Sequence, residues 1–257
     1  MLPAAAPSAA TNHASSSFMA TSGIVINNGL LAALPGDVWQ RVLPQLKAVY
    51  MPLGQAIYQP GSTLIQVCFP TTAIISLTYE MENGASAQIA VVGNEGMVGI
   101  SLFMGGESTP SRAVVTGAGH GFTLSADAIK EEFARSGAVM HLLLRYTQAL
   151  ITQMTQTAAC NRHHTLNQQL CRWLLMRLDR LQGDKLIMTH ELIANMLGVR
   201  REGVTEAAYK LQAAGLIRYA RGHISVLDRQ GLEQLSCECY AVVKKEYDRL
   251  LPPGISS

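Results

Sequence analysis

Charge is scarce in this chain. Only 15% of its 257 residues are charged, and the formal net charge is +2. A chain that binds polyanions through general basicity is therefore excluded, and any nucleic-acid contact must rest on a local concentration of charge. Cysteine is sparse too, with five residues: Cys68, Cys160, Cys171, Cys237 and Cys239. The odd count and irregular spacing exclude a disulfide scaffold and point to reduced thiols in the cytoplasm. There is no C-x-x-C pair. Cys237 and Cys239 form only C-x-C and read as unpaired thiols, so no metal is expected there. No apolar run approaches the ~18 residues of a membrane helix, so no membrane partner is expected. Gly-x-Ser-x-Gly, P-loop and His-Glu-x-x-His patterns are all missing. His120, His141, His163, His164 and His190 stand in no spacing that reports catalysis, so an enzyme is not expected.

What is present is a large apolar fraction, 48%, enough for a sizeable core. The length suits two domains. Residues 1–24 are rich in Ala and Ser, lack the basic and apolar regions of a signal peptide, and are expected to form a disordered tail. "GLLAALPGDVWQRVLPQLKAVYM" reads as short helices broken by Pro35 and Pro44. From Pro52 to about Leu124, β-branched runs alternate with Pro, Gly and Asn clusters, and Asn83-Gly84 is a hairpin signal. That spacing implies an antiparallel sandwich or roll.

Helix resumes at Ser125. "VMHLLLRYTQALITQMTQTAA" carries Met140, Leu143, Leu150 and Met154 in an approximate 3-4 seam, interrupted by Thr147. The pattern fits either a dimer seam or a buried core helix. Cys160, His163 and His164 follow within one turn and read as a solvated helix surface or hinge. In "TLNQQLCRWLLMRLDRLQG", Leu170, Trp173, Leu174 and Leu178 should face inward. Arg172, Arg177 and Arg180 should stay in water.

The most informative stretch is "THELIANMLGVRREGVTEAAYKLQAAGLI". Thr189 can cap a helix whose Leu192, Ile193, Met196 and Leu197 share a face. Gly198 makes a turn and Val199 plugs it, the pattern of a helix-turn-helix. In the second helix Val204, Ala207, Ala208 and Leu211 gather on one side. Arg201, Glu202, Thr205, Glu206 and Tyr209 gather on the other. Arg can donate two bonds to guanine and Glu can accept from cytosine, so the outer face suits base edges in a major groove. "LIRYARGHISVLD" then reads as a hairpin turning at Arg221-Gly222, a wing. Between Arg200 and His223 five basic residues stand against Glu202 and Glu206, a local excess that suits phosphate contacts. An ordinary helical hairpin with solvated charges fits the same pattern.

This order of elements resembles the Crp/Fnr family of bacterial transcription regulators, most specifically in Thr189 to Ile217 and the "ARGHISV" wing. The resemblance implies an α+β fold: an N-terminal antiparallel, jelly-roll-like β-roll, a long dimerisation helix and a C-terminal winged helix-turn-helix. The divisions it implies are a tail (1–24), a cyclic-nucleotide-binding-like sensor roll (25–137), a dimerisation helix with hinge (138–164), a DNA-binding domain (165–235) and a C-terminal extension (236–257). It also implies a homodimer on near-palindromic double-stranded DNA, with RNA polymerase as a further partner. The DNA contacts fall on Thr189, His190, Arg200, Arg201, Glu202, Thr205, Glu206 and Arg221. Better-known members carry arginine where this chain has Glu206, so their operators are not expected here.

The sensory half departs further. Cyclic-nucleotide members carry G-E-[LI] and R-[ST] segments; here Gly99 is kept, Ile100 replaces the ribose-binding glutamate, and Ala113 follows the retained Arg112. Gly99, Ser111, Arg112 and Thr155 are the candidate ligand residues. Loss of the glutamate removes an acceptor worth about 1–3 kcal/mol, so cyclic AMP in the usual mode is not expected. The N-terminal cysteine cluster of the iron–sulfur members is lacking, so that cofactor is not expected either. The effector is unassigned. Two functions remain in view: a signal-controlled regulator, and a ligand-independent DNA binder whose roll is only a scaffold.

Overall fold

The computed structural model describes residues 27–181, 183 and 185–252. The expected tail lies outside these residues.

Two short helices open the described residues, α1 (Gly29–Ala32) and α2 (Gly36–Val42), separated at Pro35; a 3₁₀ turn containing Pro44 follows. Seven strands come next: β1 (Lys47–Met51), β2 (Ala56–Tyr58), β3 (Gln66–Pro70), β4 (Ile74–Glu80), β5 (Ser86–Val92), β6 (Arg112–Gly117) and β7 (Gly119–Ser125). They form two antiparallel sheets, ordered β1-β7-β3 and β2-β6-β4-β5. Asn83 and Gly84 lie in the β4–β5 turn, where Gly84 takes φ +80° and the Asn83 side chain accepts from Ala85 N. The sheets' inner faces share one core, including Val67, Phe69, Ile75, Val92, Ala113 and Val115.

Ser125 caps α3 (Ala126–Arg135), and Ser136 caps the long α4 (Gly137–His163). Three contacts fix α4 on the roll. Tyr146 is fully buried and its hydroxyl donates to Met97 O at 2.7 Å. A Cβ on Gly96 would stand 2.5 Å from that ring, so glycine is required there. Gln153 serves the edge strand β5: its Oε1 accepts from Val91 N and its Nε2 donates to Val91 O. This satisfies backbone groups that an edge strand would otherwise leave open.

Leu143 and Leu150, two of the four expected seam positions, are 2% and 1% exposed and belong to the chain's own core. The apolar residues that α4 presents outward are Leu144 and Ile151, 45% and 49% exposed. Of the two readings the sequence pattern allowed, Leu143 and Leu150 follow the buried core helix. The helix packs on both the roll and a C-terminal helix, and this consumes most of its apolar surface.

Thr165 and Gln168 form a capping box at the start of α5 (Leu166–Leu178). Strand β8 (Lys185–Ile187), α6 (His190–Leu197), α7 (Arg201–Ala213) and the hairpin β9 (Ile217–Ala220) and β10 (His223–Val226) follow. The third sheet runs β8-β10-β9. Helix α8 (Arg229–Leu235) leads to α9 (Glu238–Leu250), which lies against α4 and buries Tyr240, Val243, Tyr247 and Leu250. The C-terminal extension is therefore built into the body of the fold.

The arginines of α5 and of the turn after it do not stay wet. Arg177 is fully buried and reaches into the β4–β5–β6 sheet, donating to Thr116 Oγ1 (3.0 Å), Ser76 Oγ (2.9 Å) and Gln88 Oε1 (2.8 Å). Burial, and secondarily Arg180, pulls its pKa down to about 9. Arg180 pairs with the buried Glu95 at 2.7 Å, and Arg172 is 6% exposed. The reason is tertiary. Helix α5 lies between the roll, the helix-turn-helix and α9, so no face of it is left to solvent. Its inward leucines, Leu170 and Leu174, are buried as expected, with Trp173.

Candidate nucleic-acid interface

Helix α6 begins at Thr189, whose side chain accepts from Leu192 N at 3.1 Å, so this oxygen serves as a cap. Ile193, Ala194, Met196 and Leu197 are buried. Gly198 ends the helix at φ +68°, a left-handed position that suits glycine. Val199 packs half-buried against the core. Arg200 is the N-cap of α7, and no side chain caps the helix. Val204, Ala207, Ala208 and Leu211 turn inward, while Arg201, Glu202, Thr205, Glu206 and Tyr209 are exposed. The small alanines allow α7 to sit close to α5 and α6.

The outer face is pre-organised by neighbours. Glu206 pairs with Lys210 one turn on, at 2.7 Å, which holds its carboxyl below the usual range. Thr205 Oγ1 is 3.0 Å from Arg201 O and 3.0 Å from His190 Nδ1, so its hydroxyl is engaged within the domain. The His190 ring stacks on Tyr219 of β9, centroids 4.1 Å apart. It thereby joins the start of α6, the middle of α7 and the wing. Burial, then Arg201, holds its pKa below 6.5.

The wing turns through Arg221 (φ +49°) and Gly222 (φ +78°), two residues between paired Ala220 and His223. Both central φ values are positive, as in a type I′ hairpin turn. Asn or Gly would be the easy choice at the first position. An exposed arginine held there is a local conflict of the kind found at functional sites. Ile217 and Ile224 point into the core, with Tyr219 and Val226 half-buried. Strand β8 adds a third member that the sequence pattern did not reveal. Thr189, Arg200, Arg201, Glu202, Thr205, Glu206 and Arg221 are all exposed, and His190 is half-buried.

The candidate ligand residues are less unified. Gly99 takes φ +109°, and a Cβ there would meet Val67 at 3.2 Å. Ser111 is buried against Thr109 and Tyr58, with oxygens at 3.0 and 3.4 Å. Arg112 is half-buried and its Nε has no hydrogen-bond partner. Thr155 is exposed on α4, its hydroxyl within bonding distance of Ile151 O and Thr152 O.

One constellation escaped the sequence pattern altogether. Cys160 is fully buried, and its sulfur joins those of Cys237 and Cys239 and the ring of His164, all within 4.8 Å. The solvated-surface reading of Cys160 and His164 is corrected; His163 alone of that group is exposed. C-x₃-H and C-x-C were both visible, but 70-odd intervening residues hid their meeting.

A β-roll, a long helix and a winged helix-turn-helix follow one another along the described residues. Residues 168–235 match the Crp-like helix-turn-helix domain. The fold is that of FixK2 from Bradyrhizobium japonicum (TM-score 0.65, 16% identity, covering 75% of this chain and 98% of that one). It is also that of CLP, the c-di-GMP-responsive global regulator of Xanthomonas campestris (0.60, 16%, 75% and 99%). A Crp/Fnr-family transcriptional regulator from Thermus thermophilus is similar too (0.60, 19%, 74% and 98%). No curated protein matches the chain. Residues 168–235 thus carry a Crp-like helix-turn-helix domain, and the chain shares the fold of these Crp/Fnr-family structures. Among the described residues no helix is long and apolar enough to cross a membrane.

Proposed function

We propose that the protein acts in the cytoplasm as a homodimer that reads a near-palindromic operator, with RNA polymerase as a further partner. The observation that carries this is the division of α7 into a buried Val204-Ala207-Ala208-Leu211 face and an exposed Arg201-Glu202-Glu206 face. Arg201 and Glu202 read bases from the first turn of α7. Arg200, Arg221 and the uncapped start of α7 hold phosphates. Thr189, His190 and Thr205 set the position of the reading face. The dimer forms along the exposed face of α4 through Leu144, Gln148, Ile151 and Thr155.

The roll receives the controlling signal. The buried, unpartnered Nε of Arg112 supports an anionic ligand beside Gly99 and Ser111, because such a donor is otherwise costly to leave unpaired. Ile100 offers no acceptor for a ribose hydroxyl, and Thr155 spends its hydroxyl on its own helix. Cyclic AMP in the usual mode is therefore disfavoured. A ligand-independent regulator is the second reading, favoured by the buried Arg177 and Arg180 contacts that dock α5 on the roll without any ligand.

The test is Arg201→Ala in the full chain, titrated on a selected operator and on random duplex. A loss of about 1–3 kcal/mol on the operator alone is expected, with relaxed preference at one base pair per half-site. Equal loss on both duplexes would show that Arg201 does not read bases.

A further inference from the structure

Three cysteines and a histidine from distant parts of the chain meet where α4 ends and α9 begins. Cys160 lies in the last turn of α4, and His164 is its C-cap. Their four-residue separation puts both side chains on one side of the helix end. Cys237 is the N-cap of α9, and Cys239 stands two residues later in its first turn. Cys160 Sγ is 3.5 Å from Cys237 Sγ, and Cys239 Sγ is 3.6 Å from His164 Nδ1. The three cysteines form a small buried cluster of their own, apart from the main hydrophobic core.

We propose that Cys160, His164, Cys237 and Cys239 together hold one zinc-class divalent ion, which fastens α9 to the hinge between the long helix and the DNA-binding domain.

Three features argue for an ion. The first is size. A tetrahedral ion with bonds of about 2.3 Å to sulfur and about 2.0–2.1 Å to nitrogen separates its ligand atoms by about 3.5–3.8 Å. Two ligand pairs, at 3.5 and 3.6 Å, lie close to that separation, and all four ligand atoms lie within 4.8 Å of one another.

The second is the orientation of His164. Its Nδ1 faces the sulfurs, while its Nε2 lies 3.2 Å from Glu238 Oε2. A carboxylate on the far nitrogen fixes the tautomer of a metal-bound imidazole and raises its basicity. Gln169 adds a bond from its Nε2 to His164 O at 2.9 Å, anchoring the loop from the α5 side.

The third is charge. Three thiolates, one neutral imidazole and one divalent cation leave a net single negative charge in a buried site. Arg172, buried beside them, donates from Nη2 to Thr157 Oγ1, and its charge is felt by all three cysteines. Among the described residues no carboxylate pairs with it within salt-bridge distance. A buried guanidinium needs compensation, and a thiolate-rich metal site supplies one negative charge to match it.

Soft thiolate donors in this number favour zinc over magnesium or calcium. All four positions are filled by protein, so the ion is structural and leaves no open place for a substrate. Its location gives it consequence. Metal binding would tie the two helix ends and the start of α5 together, at the joint from which the recognition helix is carried.

The test uses the full chain, purified reduced and without oxygen, then supplied with zinc alone and desalted. We expect one zinc per chain by elemental analysis. In cobalt-loaded protein we expect the thiolate charge-transfer absorption and intense visible bands of a tetrahedral site. Cys237→Ser and His164→Ala should lose the ion, while Cys68→Ala, altered in the distant roll, should keep it. Glu238→Gln should fold normally and bind roughly 10–100-fold more weakly. Protein that folds under these conditions but retains essentially no zinc would overturn the proposal. So would a Cys237→Ser chain that holds as much as the parent, or a Cys160–Cys237 disulfide in the zinc-supplied protein. Should Cys237→Ser fail to fold, the parent's cobalt spectrum and the Glu238→Gln affinity decide.

Discussion

Arg177 offers a direct probe of how the DNA-binding half is attached. Its guanidinium is fully buried, with Cζ 4.2 Å from the Trp173 ring centre and three hydroxyl or amide partners from the roll. Hydrogen bonds to a charged donor contribute about 1.5–3 kcal/mol each, so three have a gross value of about 5–9 kcal/mol. Against this stands a desolvation penalty of several kcal/mol for a cation taken out of water. Arg177→Ala removes the bonds, leaves a cavity and strands Ser76, Gln88 and Thr116. A loss of about 3–5 kcal/mol is expected. Arg177→Met keeps most of the apolar volume and removes the buried charge, so it should cost about 0–2 kcal/mol. Urea unfolding followed by tryptophan fluorescence is the assay, because Trp173 reports on this contact and Trp39 on the roll. An Arg177→Ala chain within about 0.5 kcal/mol of the parent would refute the docking, since that is the range of surface substitutions.

Three further outcomes are expected. Arg221→Gly should relieve the left-handed backbone at the wing tip and raise stability by about 1 kcal/mol. It should also weaken binding to all duplexes and shrink the salt slope by about 1 per subunit, measured by titration at several salt concentrations. Ile151→Asp should disperse the dimer in sedimentation while leaving the protomer folded. Leu150→Asp should instead unfold the protomer, because Leu150 is 1% exposed. His190 has a folded pKa below its unfolded value of 6.5, so the unfolded chain takes up the proton first as pH falls. Stability should therefore be full above about pH 7 and decline below 6.5, towards the folded pKa. In His190→Phe, which keeps a ring on Tyr219, that decline in thermal midpoint should flatten.

The helix-turn-helix and wing were legible because their signals are local. The Gly198 turn, the alanine face of α7 and the Arg221-Gly222 hairpin each follow from a few adjacent residues. The roll was legible from short β-branched runs between turn clusters. What escaped depends on which surfaces meet. The charge of Arg177 argues for water on sequence grounds, and only the packing of α5 between roll and helix-turn-helix overrides it. Leu150 and Ile151 are adjacent leucine and isoleucine, and their opposite fates follow from α9 and the roll covering one side of α4. Cys160 and Cys237 come together only because α9 returns along α4.

The central claim is that the exposed face of α7 reads DNA in a symmetric pair. The most direct measurement is selection of bound sequences from a random duplex pool by the purified full chain. The account predicts an inverted repeat whose half-site centres lie about 34 Å, one helical turn, apart, and loss of that repeat with Arg201→Ala. Retention of DNA with no enriched sequence, or enrichment unchanged in Arg201→Ala, would contradict it.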